Sequence, residues 1–224
     1  AIVANETPAT KSYLAIKAKR AADAGCVLEV QQFPEAVSAS ELQSAISESD
    51  ADAIIVQFPL PEGIDAQAVC DSIPPAKDAD VLSDAMRQKF ARGDSDACIP
   101  PVVGAIAEII HMHNVEVKGK HAVVIGRGML VGAPAAMWLA QHGAQVTVVN
   151  RSTPDFSAVL RGADIIVSGA GAPHLITSDM LKQGTVLIDA GTSESNGEVV
   201  GDADPSCAAK CSLFTPVPGG VGPL

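Results

Sequence analysis

The fold is decided by one stretch in the second half of the chain, Val123-Val124-Ile125-Gly126-Arg127-Gly128-Met129-Leu130-Val131-Gly132. An apolar run typical of a buried strand leads into a G-x-G-x-x-x-G pattern, one residue longer than the usual dinucleotide-binding fingerprint. Glycines let the backbone approach a pyrophosphate closely, and the N-terminus of the following helix offers unpaired N–H groups. The stretch predicts a Rossmann-type site in which a dinucleotide is bound by Gly126, Arg127, Gly128, Val131 and Gly132.

The end of the next predicted strand indicates which dinucleotide binds. An NAD site usually has Asp or Glu here to accept the ribose hydroxyls, whereas this chain has Arg151, Ser152 and Thr153. A basic residue beside two hydroxyls suits a ribose phosphate, so we predict NADP. NAD stays possible, and the alternative interpretation of Arg151 is a solvent-exposed turn residue. Gly171 and Thr192 follow the next two strands, where small residues leave room for the same cofactor.

Strand-like and helix-like segments alternate along the chain, which indicates an α/β fold. The predicted strands cover residues 1–4, 27–31, 53–57, 121–125, 144–149, 164–168, 186–189 and 213–215. The predicted helices cover residues 9–24, 40–49, 66–72 and 102–113, with another after the glycine loop. The chain changes character between residues 102 and 118. We therefore expect an N-terminal α/β domain over residues 1–104 and a Rossmann-type domain over residues 105–224.

The composition argues against several kinds of partner. The 224 residues are 47% hydrophobic and 18% charged, as in soluble globular proteins, and the net charge is −11. Nucleic acids and anionic membrane surfaces require a basic footprint, so neither is expected to bind. No apolar run approaches the length that spans a bilayer.

The cysteines argue against a disulfide framework. They are five in number and form no Cys-x-x-Cys pair. We therefore expect reduced thiols and a cytoplasmic location. Cys207 and Cys211 are spaced to share one helical face, but without a nearby histidine they predict no metal site.

Four side chains of the first half could carry chemistry. Tyr13 and Lys17 are spaced i, i+4 and so lie on one helical face, where a hydroxyl can share a proton with an amine. The same Y-x-x-x-K spacing occurs in short-chain dehydrogenases, but there it follows the glycine loop, whereas here it precedes it. Without further context, an amphipathic helix with a solvent-reaching Lys17 explains the spacing. Gln57 ends a buried strand, and Asp80 lies in a loop that follows two prolines.

The run Thr215-Pro216-Val217-Pro218-Gly219-Gly220-Val221-Gly222-Pro223 cannot be a helix or a central strand. Proline lacks an N–H, and glycine permits positive φ and close approach to a ligand. The run predicts a stiff, shaped loop after the last strand, and the alternative is a linker or a frayed tail.

Taken in order, these motifs resemble one family across essentially the whole chain. The family is that of the bifunctional methylenetetrahydrofolate dehydrogenases/methenyltetrahydrofolate cyclohydrolases of one-carbon metabolism. The resemblance rests on the Tyr13/Lys17 helix, the Gln-Phe-Pro-Leu-Pro run 57–61, Lys77-Asp78-Ala79-Asp80, the glycine loop and the run 215–223. It implies a folate-binding catalytic domain and an NADP-binding domain, with a cleft between them lined by 215–223. It also implies a homodimer, and further helices before Ala1 and after the closing run.

The resemblance also implies roles for individual residues. Lys17 matches the family's catalytic lysine, Tyr13 the tyrosine over the folate, Gln57 the glutamine that tunes the lysine, and Asp80 the acid that grips the pterin. A carboxylate can accept the adjacent N–H donors of a pterin edge. A lysine can shuttle protons near neutral pH only if burial or neighbours lower its pKa. The further substrate contacts implied are Val56, Phe58, Pro218, Gly219 and Gly220.

Departures from the family pattern concern the cofactor and the balance of activities. Val81 stands where the family has glycine after the acid, and Gly128 stands where it has a serine hydroxyl. The usual His-Ser pair after the second Rossmann strand is Asn150-Arg151, and the Pro-Cys-Thr-Pro segment is degenerate around residues 98–101. Two rivals stay open: another two-domain NAD(P) dehydrogenase, such as a shikimate-type enzyme, and a non-catalytic nucleotide- or folate-binding relative.

Overall fold

The chain forms two compact units, Ala1–Cys98 and Ile99–Leu224. This is a computed structural model, and it describes residues 1–195 and 198–222. The helix Pro101–Met112, which contains the predicted boundary at 104–105, belongs to the second unit. That boundary stays a prediction.

The first unit is built on a small parallel sheet. Its strands are β1 (Ile2–Val3), β2 (Gln31–Gln32) and β3 (Val56–Gln57), in the order β2-β1-β3. The register places Val3 beside Gln32 and Gln57, so the sheet delivers Gln57 to its carboxyl edge. The helices of this unit are α1 (Pro8–Asp23), α2 (Ala39–Glu48), α3 (Ala66–Cys70) and α4 (Asp84–Arg92), with a 3₁₀ turn at Pro75–Lys77.

Capping residues fix where these helices start. Thr7 caps α1 by accepting a hydrogen bond from the Thr10 backbone N–H at 3.1 Å. Ser38 and Glu41 form a reciprocal capping box at the start of α2. Ser83 caps α4, which ends at Gly93 in the left-handed conformation that glycine adopts without a steric penalty.

The second unit is a five-stranded parallel sheet flanked by helices. Its strands are β4 (His121–Ile125), β5 (Gln145–Val149), β6 (Ile165–Ser168), β7 (Thr185–Asp189) and β10 (Cys211–Phe214). They run in the order β10-β7-β6-β4-β5. The helices are α5 (Pro101–Met112), α6 (Gly132–Gln141) and α7 (Phe156–Gly162), and β8 (Ser193–Ser195) pairs antiparallel with β9 (Glu198–Val200).

The strand order creates a switch point between β4 and β6. From β4 the chain first goes outward to β5 and then crosses to β6 on the other side of β4. Ligands of open parallel sheets bind at the carboxyl ends of the strands beside such a reversal. The loops that start at Gly126 and Gly169 meet there, and Gly169 N–H donates to Ile125 O at 3.0 Å.

The central strands of this sheet are buried on both faces. Ala122 to Ile125, Ile165 to Ser168 and Thr185 to Asp189 are buried throughout. A core of Leu160, Ile176, Leu187 and their neighbours packs against them. Parallel strands covered by helices are continuous in apolar character, which is why β4 is so evident in the sequence. The predicted α/β fold with a Rossmann-type unit is confirmed.

Several predicted elements differ from the observed ones. The strand predicted over 27–31 is observed only at Gln31–Gln32, and Val27 at the start of the predicted range is 88% exposed. The strand predicted over 53–57 shortens to Val56–Gln57, with only an isolated bridge at Ile54. Helices α4 and α7 and the β8–β9 hairpin were not predicted. Cys207 and Cys211 do not share a helical face, because a 3₁₀ helix ends at Ala209 and Cys211 begins β10.

Candidate active site

Three of the predicted catalytic residues lie together in the first unit. Lys17 is on the third turn of α1, Gln57 ends β3, and Asp80 lies in the loop before α4. Lys17 Nζ donates to Gln57 Oε1 at 3.4 Å and is 3.9 Å from Asp80 Oδ2. Gln57 Nε2 donates to the Phe58 carbonyl at 3.0 Å. This second bond turns the amide oxygen toward the lysine, so an ammonium lies between a neutral acceptor and a carboxylate.

Asp80 lies in a partly dry environment. Its side chain is 21% exposed, and burial raises the pKa of its carboxyl above the ordinary value. The Lys17 ammonium opposes that rise in pKa, and the Asp78 carboxylate adds to it. A carboxylate that is mostly desolvated but retains an open edge can accept hydrogen bonds from a ligand at little further cost.

Asp78 shapes the loop that carries Asp80. It is buried, and it accepts hydrogen bonds from Leu82 N–H at 3.0 Å, Ser83 N–H at 2.8 Å and Ser83 Oγ at 2.6 Å. The loop therefore curls around the Asp78 carboxylate before α4 begins, and Val81 is held at φ +56°. Nothing in the sequence distinguishes Asp78 from its neighbours in the run 77–80.

The other predicted substrate residues of the first unit differ in how exposed they are. Tyr13 lies one helical turn before Lys17, with 45% of its surface exposed. Phe58 is half-buried, and Val56 is buried in the core of the first unit. The substrate contacts assigned to these residues stay predictions.

The predicted glycine loop lies between β4 and α6, and packing requires glycine at its first and last glycine positions. Gly126 has φ +100°, and a Cβ there would lie 2.8 Å from Gly169 O. A Cβ on Gly132 would lie 2.3 Å from Gly126 O, so no larger residue fits where α6 starts. Gly169 is equally confined, because its Cβ would lie 2.5 Å from Val131 Cγ1. Gly128 differs from these three, because a Cβ there would meet no atom within 4 Å.

The turn after β5 presents Arg151. Asn150 Oδ1 accepts from Ser152 N–H at 2.8 Å, and Asn150 N–H donates to Thr153 Oγ1 at 3.0 Å. These bonds close the turn around Arg151, which is exposed. Within residues 1–195 and 198–222, neither Arg127 nor Arg151 has an ion pair, so both guanidinium groups are available to an anion.

The loops after β6 and β7 carry Gly171 and Thr192, which are both exposed, as a cofactor contact requires. Beneath them lie two carboxylates that sequence reasoning did not single out, Asp189 and Asp202. Burial raises the pKa of Asp189 to about 6, and the neighbouring Asp202 contributes to the rise. In the sequence, Asp189 is simply the last residue of the predicted strand 186–189, and Asp202 lies in an unremarkable Gly-Asp-Ala-Asp segment.

The closing run is tied to the sheet at its start. Thr215 is buried, accepts a hydrogen bond from Asp189 N–H at 2.8 Å through Oγ1, and donates to Asp189 O at 3.3 Å. A Cβ on Gly220 would lie 2.7 Å from Thr215 Cβ, so the run folds back on its own first residue. Pro218 and Gly219 are exposed, and their role as substrate contacts stays a prediction. Pro223 lies outside the described residues.

The residues of the second unit fit a dinucleotide. Gly126 and Gly132 leave no room for a Cβ, and this close packing forms the tight turn that leads into the ten-residue helix α6. The first turn of such a helix supplies N–H donors to a pyrophosphate. Within the described ranges, no group of three or more His, Cys, Asp or Glu side chains could hold a metal ion. No helix in the described part is both long enough and apolar enough to cross a membrane.

Two family profiles match the chain. The catalytic domain of tetrahydrofolate dehydrogenase/cyclohydrolase matches residues 1–80, and the NAD(P)-binding domain of the same enzymes matches residues 98–224. The chain belongs to the tetrahydrofolate dehydrogenase/cyclohydrolase family.

Relatives within this family align along the whole chain. "Bifunctional protein FolD 2" of Lactobacillus johnsonii is 39% identical over 228 residues, covering 100% of this chain and 80% of the relative. "Bifunctional protein FolD" of Lactobacillus gasseri is 40% identical with the same coverage. The chain thus spans about four-fifths of these FolD proteins.

Solved structures of the family share the fold. The FolD dehydrogenase/cyclohydrolase of Campylobacter jejuni superposes with a TM-score of 0.93 at 33% identity, covering 99% of this chain and 81% of that one. The enzyme of Trypanosoma brucei, solved with NADP and an inhibitor, gives 0.93 at 35% identity, covering 99% and 80%. The predicted family, the enzyme class and an NAD(P)-binding domain are therefore confirmed.

Proposed function

We propose that the chain oxidises methylenetetrahydrofolate with NADP and hydrolyses the methenyl product to formyltetrahydrofolate. The observation that carries the proposal is the position of Lys17 Nζ, 3.4 Å from Gln57 Oε1 and 3.9 Å from Asp80 Oδ2, in a chain of the FolD family. A lysine held between an amide and a carboxylate can exchange protons with a ligand while its position stays fixed.

Lys17 is the proton-transfer group of the hydrolytic step in this proposal. Water adds to the cationic methenyl carbon, one carbon–nitrogen bond opens, and one proton is released. Gln57 holds the lysine without neutralising it, since an amide oxygen accepts a hydrogen bond and carries no net charge. The side chain of Lys17 is 33% exposed, so a water molecule can reach its amine.

Asp80 and Tyr13 bind the substrate in this proposal. A pterin presents adjacent N–H donors on one edge, and Asp80 offers two acceptor oxygens in a partly desolvated loop. The exposed ring of Tyr13 provides an aromatic face one turn away on α1. Both residues orient the folate relative to Lys17, so their loss should raise KM as well as lower kcat.

The dinucleotide is held in this proposal by the glycine loop and the turn after β5. When bound, NADP supplies the hydride acceptor for the oxidation. Gly126, Gly128 and Gly132 admit the pyrophosphate, with Arg127 and Val131 beside it and Gly171 and Thr192 at the neighbouring loops. Arg151, with Ser152 and Thr153, binds the ribose phosphate that distinguishes NADP from NAD.

The cofactor preference is tested with Arg151→Ala. Because the guanidinium would contact only the extra phosphate, affinity for NADP should fall about tenfold or more while affinity for NAD is unchanged. Arg161→Ala, an exposed arginine of the same unit in α7, is the matched control. An unchanged ratio of NADP to NAD affinity would show that Arg151 is a solvent-exposed turn residue.

The function itself is tested by two assays on the purified chain. One follows NADPH formation from methylenetetrahydrofolate, and the other follows the disappearance of methenyltetrahydrofolate without nucleotide. We expect turnover in both. Tight folate binding without turnover in either assay would contradict the proposal.

We also propose that the chain works as a cytoplasmic homodimer. The resemblance to the family supports the dimer, and the five unpaired thiols are compatible with a reducing compartment. Light scattering of the purified chain tests the dimer directly, and a monomeric mass at working concentration would contradict it.

A further inference from the structure

Two carboxylates are buried beneath the cofactor loops of the second unit. Asp202 is fully buried and Asp189 almost so. Within the described residues, neither forms an ion pair with a lysine or arginine. Isolation of a carboxylate from water costs several kcal/mol unless hydrogen bonds replace the lost hydration. The structure must therefore supply donors to both groups.

Asp202 receives its donors from the end of β6 and the loop that follows it. Its Oδ2 accepts from Ser168 Oγ at 2.6 Å and from Ala170 N–H at 2.7 Å, and its Oδ1 accepts from Ala172 N–H at 2.7 Å. These distances are in the range of hydrogen bonds to a charged acceptor. The two carboxylate oxygens thus accept from the residues on either side of Gly171, which has φ +61°. The loop 169–172 is thus folded around one carboxylate.

No other group of the same size would hold this loop equally well. An asparagine presents one oxygen and one NH₂ group, so one of the two backbone N–H donors would face another donor. The Asp202 carboxyl group is also packed tightly against Gly191, because a Cβ at Gly191 would lie 2.2 Å from Asp202 Cγ. The carboxylate therefore fixes loop 169–172 from below through two oxygens that only acidic side chains possess.

The same loop forms one wall of the switch point. Gly169 contacts the glycine loop so closely that a Cβ there would lie 2.5 Å from Val131 Cγ1. In the other direction, a Cβ on Gly126 would lie 2.8 Å from Gly169 O. A shift of loop 169–172 by a few tenths of an ångström would therefore displace Gly126 or Val131.

We propose that Asp202 is a positioning residue for the dinucleotide: it holds loop 169–172 against the glycine loop in the shape that binds NADP. This inference rests on the proposed function, since it requires NADP to bind at Gly126–Gly132. Asp202 itself does not touch the cofactor in this proposal. Its effect passes through Ala170 and Ala172 to Gly169 and so to the glycine loop.

The test compares Asp202→Asn with Thr185→Val in the full chain. Thr185 is also fully buried, and its Oγ1 donates to Lys182 O at 3.0 Å at the opposite end of β7. Both variants lose buried hydrogen bonding and should lower the melting temperature. Only Asp202→Asn should weaken NADP binding, measured by calorimetry, by about tenfold or more, because a misplaced buried donor distorts the loop.

Two further readouts separate positioning from general damage. In Asp202→Asn, KM for NADP should rise more than kcat falls, and hydrolysis of methenyltetrahydrofolate without nucleotide should be retained. If Asp202→Asn does not fold, Ser168→Ala removes one donor to the same carboxylate and should weaken NADP binding in the same direction. NADP affinity equal to that of Thr185→Val in the variants that fold would overturn the inference. Absence of NADP binding by the unmodified chain would instead overturn the proposed function.

Discussion

Val81 occupies a backbone conformation that β-branched residues rarely adopt. Its φ is +56°, and its side chain is buried, so it cannot relax toward solvent. The left-handed region costs an L-residue about 1–2 kcal/mol, and glycine escapes that cost. The residue before it is Asp80, so the departure from the family's glycine lies beside the group that we propose to bind the pterin.

The strain at Val81 predicts an unusual order of stability. Val81→Gly and Val81→Ala both lose the buried side chain, but only glycine suits the left-handed backbone. We expect Val81→Gly to be more stable than Val81→Ala by about 1 kcal/mol in urea unfolding. Val69, buried in α3, is the matched control, and there the alanine variant should be more stable than the glycine variant by about 1 kcal/mol. If Val81→Ala is more stable than Val81→Gly, the backbone at position 81 is not strained.

Gly128 is the one glycine of the loop that its surroundings do not require. A Cβ there meets open space, and its φ lies outside the left-handed region. Gly128→Ser should therefore fold normally and restore a hydroxyl that can bond a cofactor phosphate. We expect NADP affinity to rise roughly threefold to tenfold, as one added hydrogen bond would give.

Gly128→Ala is the control for the serine variant, because it adds the Cβ without the hydroxyl. Its NADP affinity should match that of the unmodified chain, as measured by calorimetry. Weaker NADP binding by both variants would mean that the bound dinucleotide occupies the space beside position 128.

At the scale of elements, β7 ends in a carboxyl group whose charge costs stability. Asp189 accepts hydrogen bonds from Gly191 N–H and Ala203 N–H, yet burial raises its pKa from 3.8 to about 6. A pKa that is higher in the folded state than in the unfolded state means that the protonated group stabilises the fold. This contribution to the free energy of unfolding is fully present below about pH 4 and is lost as the pH rises through about 6. The loss amounts to about 3 kcal/mol.

The pH dependence is isolated by Asp189→Asn, which does not titrate. The stability of the unmodified chain relative to this variant should fall as pH rises from about 4 to about 7. Urea unfolding of both proteins at several pH values measures the difference. A difference that is constant with pH, or that grows toward neutral pH, would show that Asp189 does not ionise as its burial requires.

The sequence was most informative about elements where burial is continuous. The strand His121–Ile125 was predicted with its observed bounds, because an apolar run ends at a glycine. In the first unit the strands are two residues long, and Gln31–Gln32 is exposed, so little apolar pattern exists to find them. Helix α4 was missed because only Met86 and Phe90 of its nine residues are buried, among charged neighbours.

For the whole molecule, the order of the motifs along the chain predicted the family, whereas the roles that depend on tertiary contacts were visible only in the structure. Gln57 and Asp80 lie 40 and 63 positions after Lys17, yet the resemblance to the family predicts that the three residues meet. The roles of Asp78 and Asp202 had no sequence signal. Asp202 takes its partners from Ser168, Ala170 and Ala172, which lie 30 to 34 positions earlier.

In our proposal one chain performs both reactions, with Lys17 as the proton-transfer group of hydrolysis. The decisive variant is Lys17→Met, assayed beside Lys19→Met on the exposed part of the same helix. We expect methenyltetrahydrofolate hydrolysis to fall by about 100-fold or more in Lys17→Met, with NADP affinity unchanged and Lys19→Met fully active. Hydrolysis retained in Lys17→Met would show that Lys17 is not the proton-transfer group.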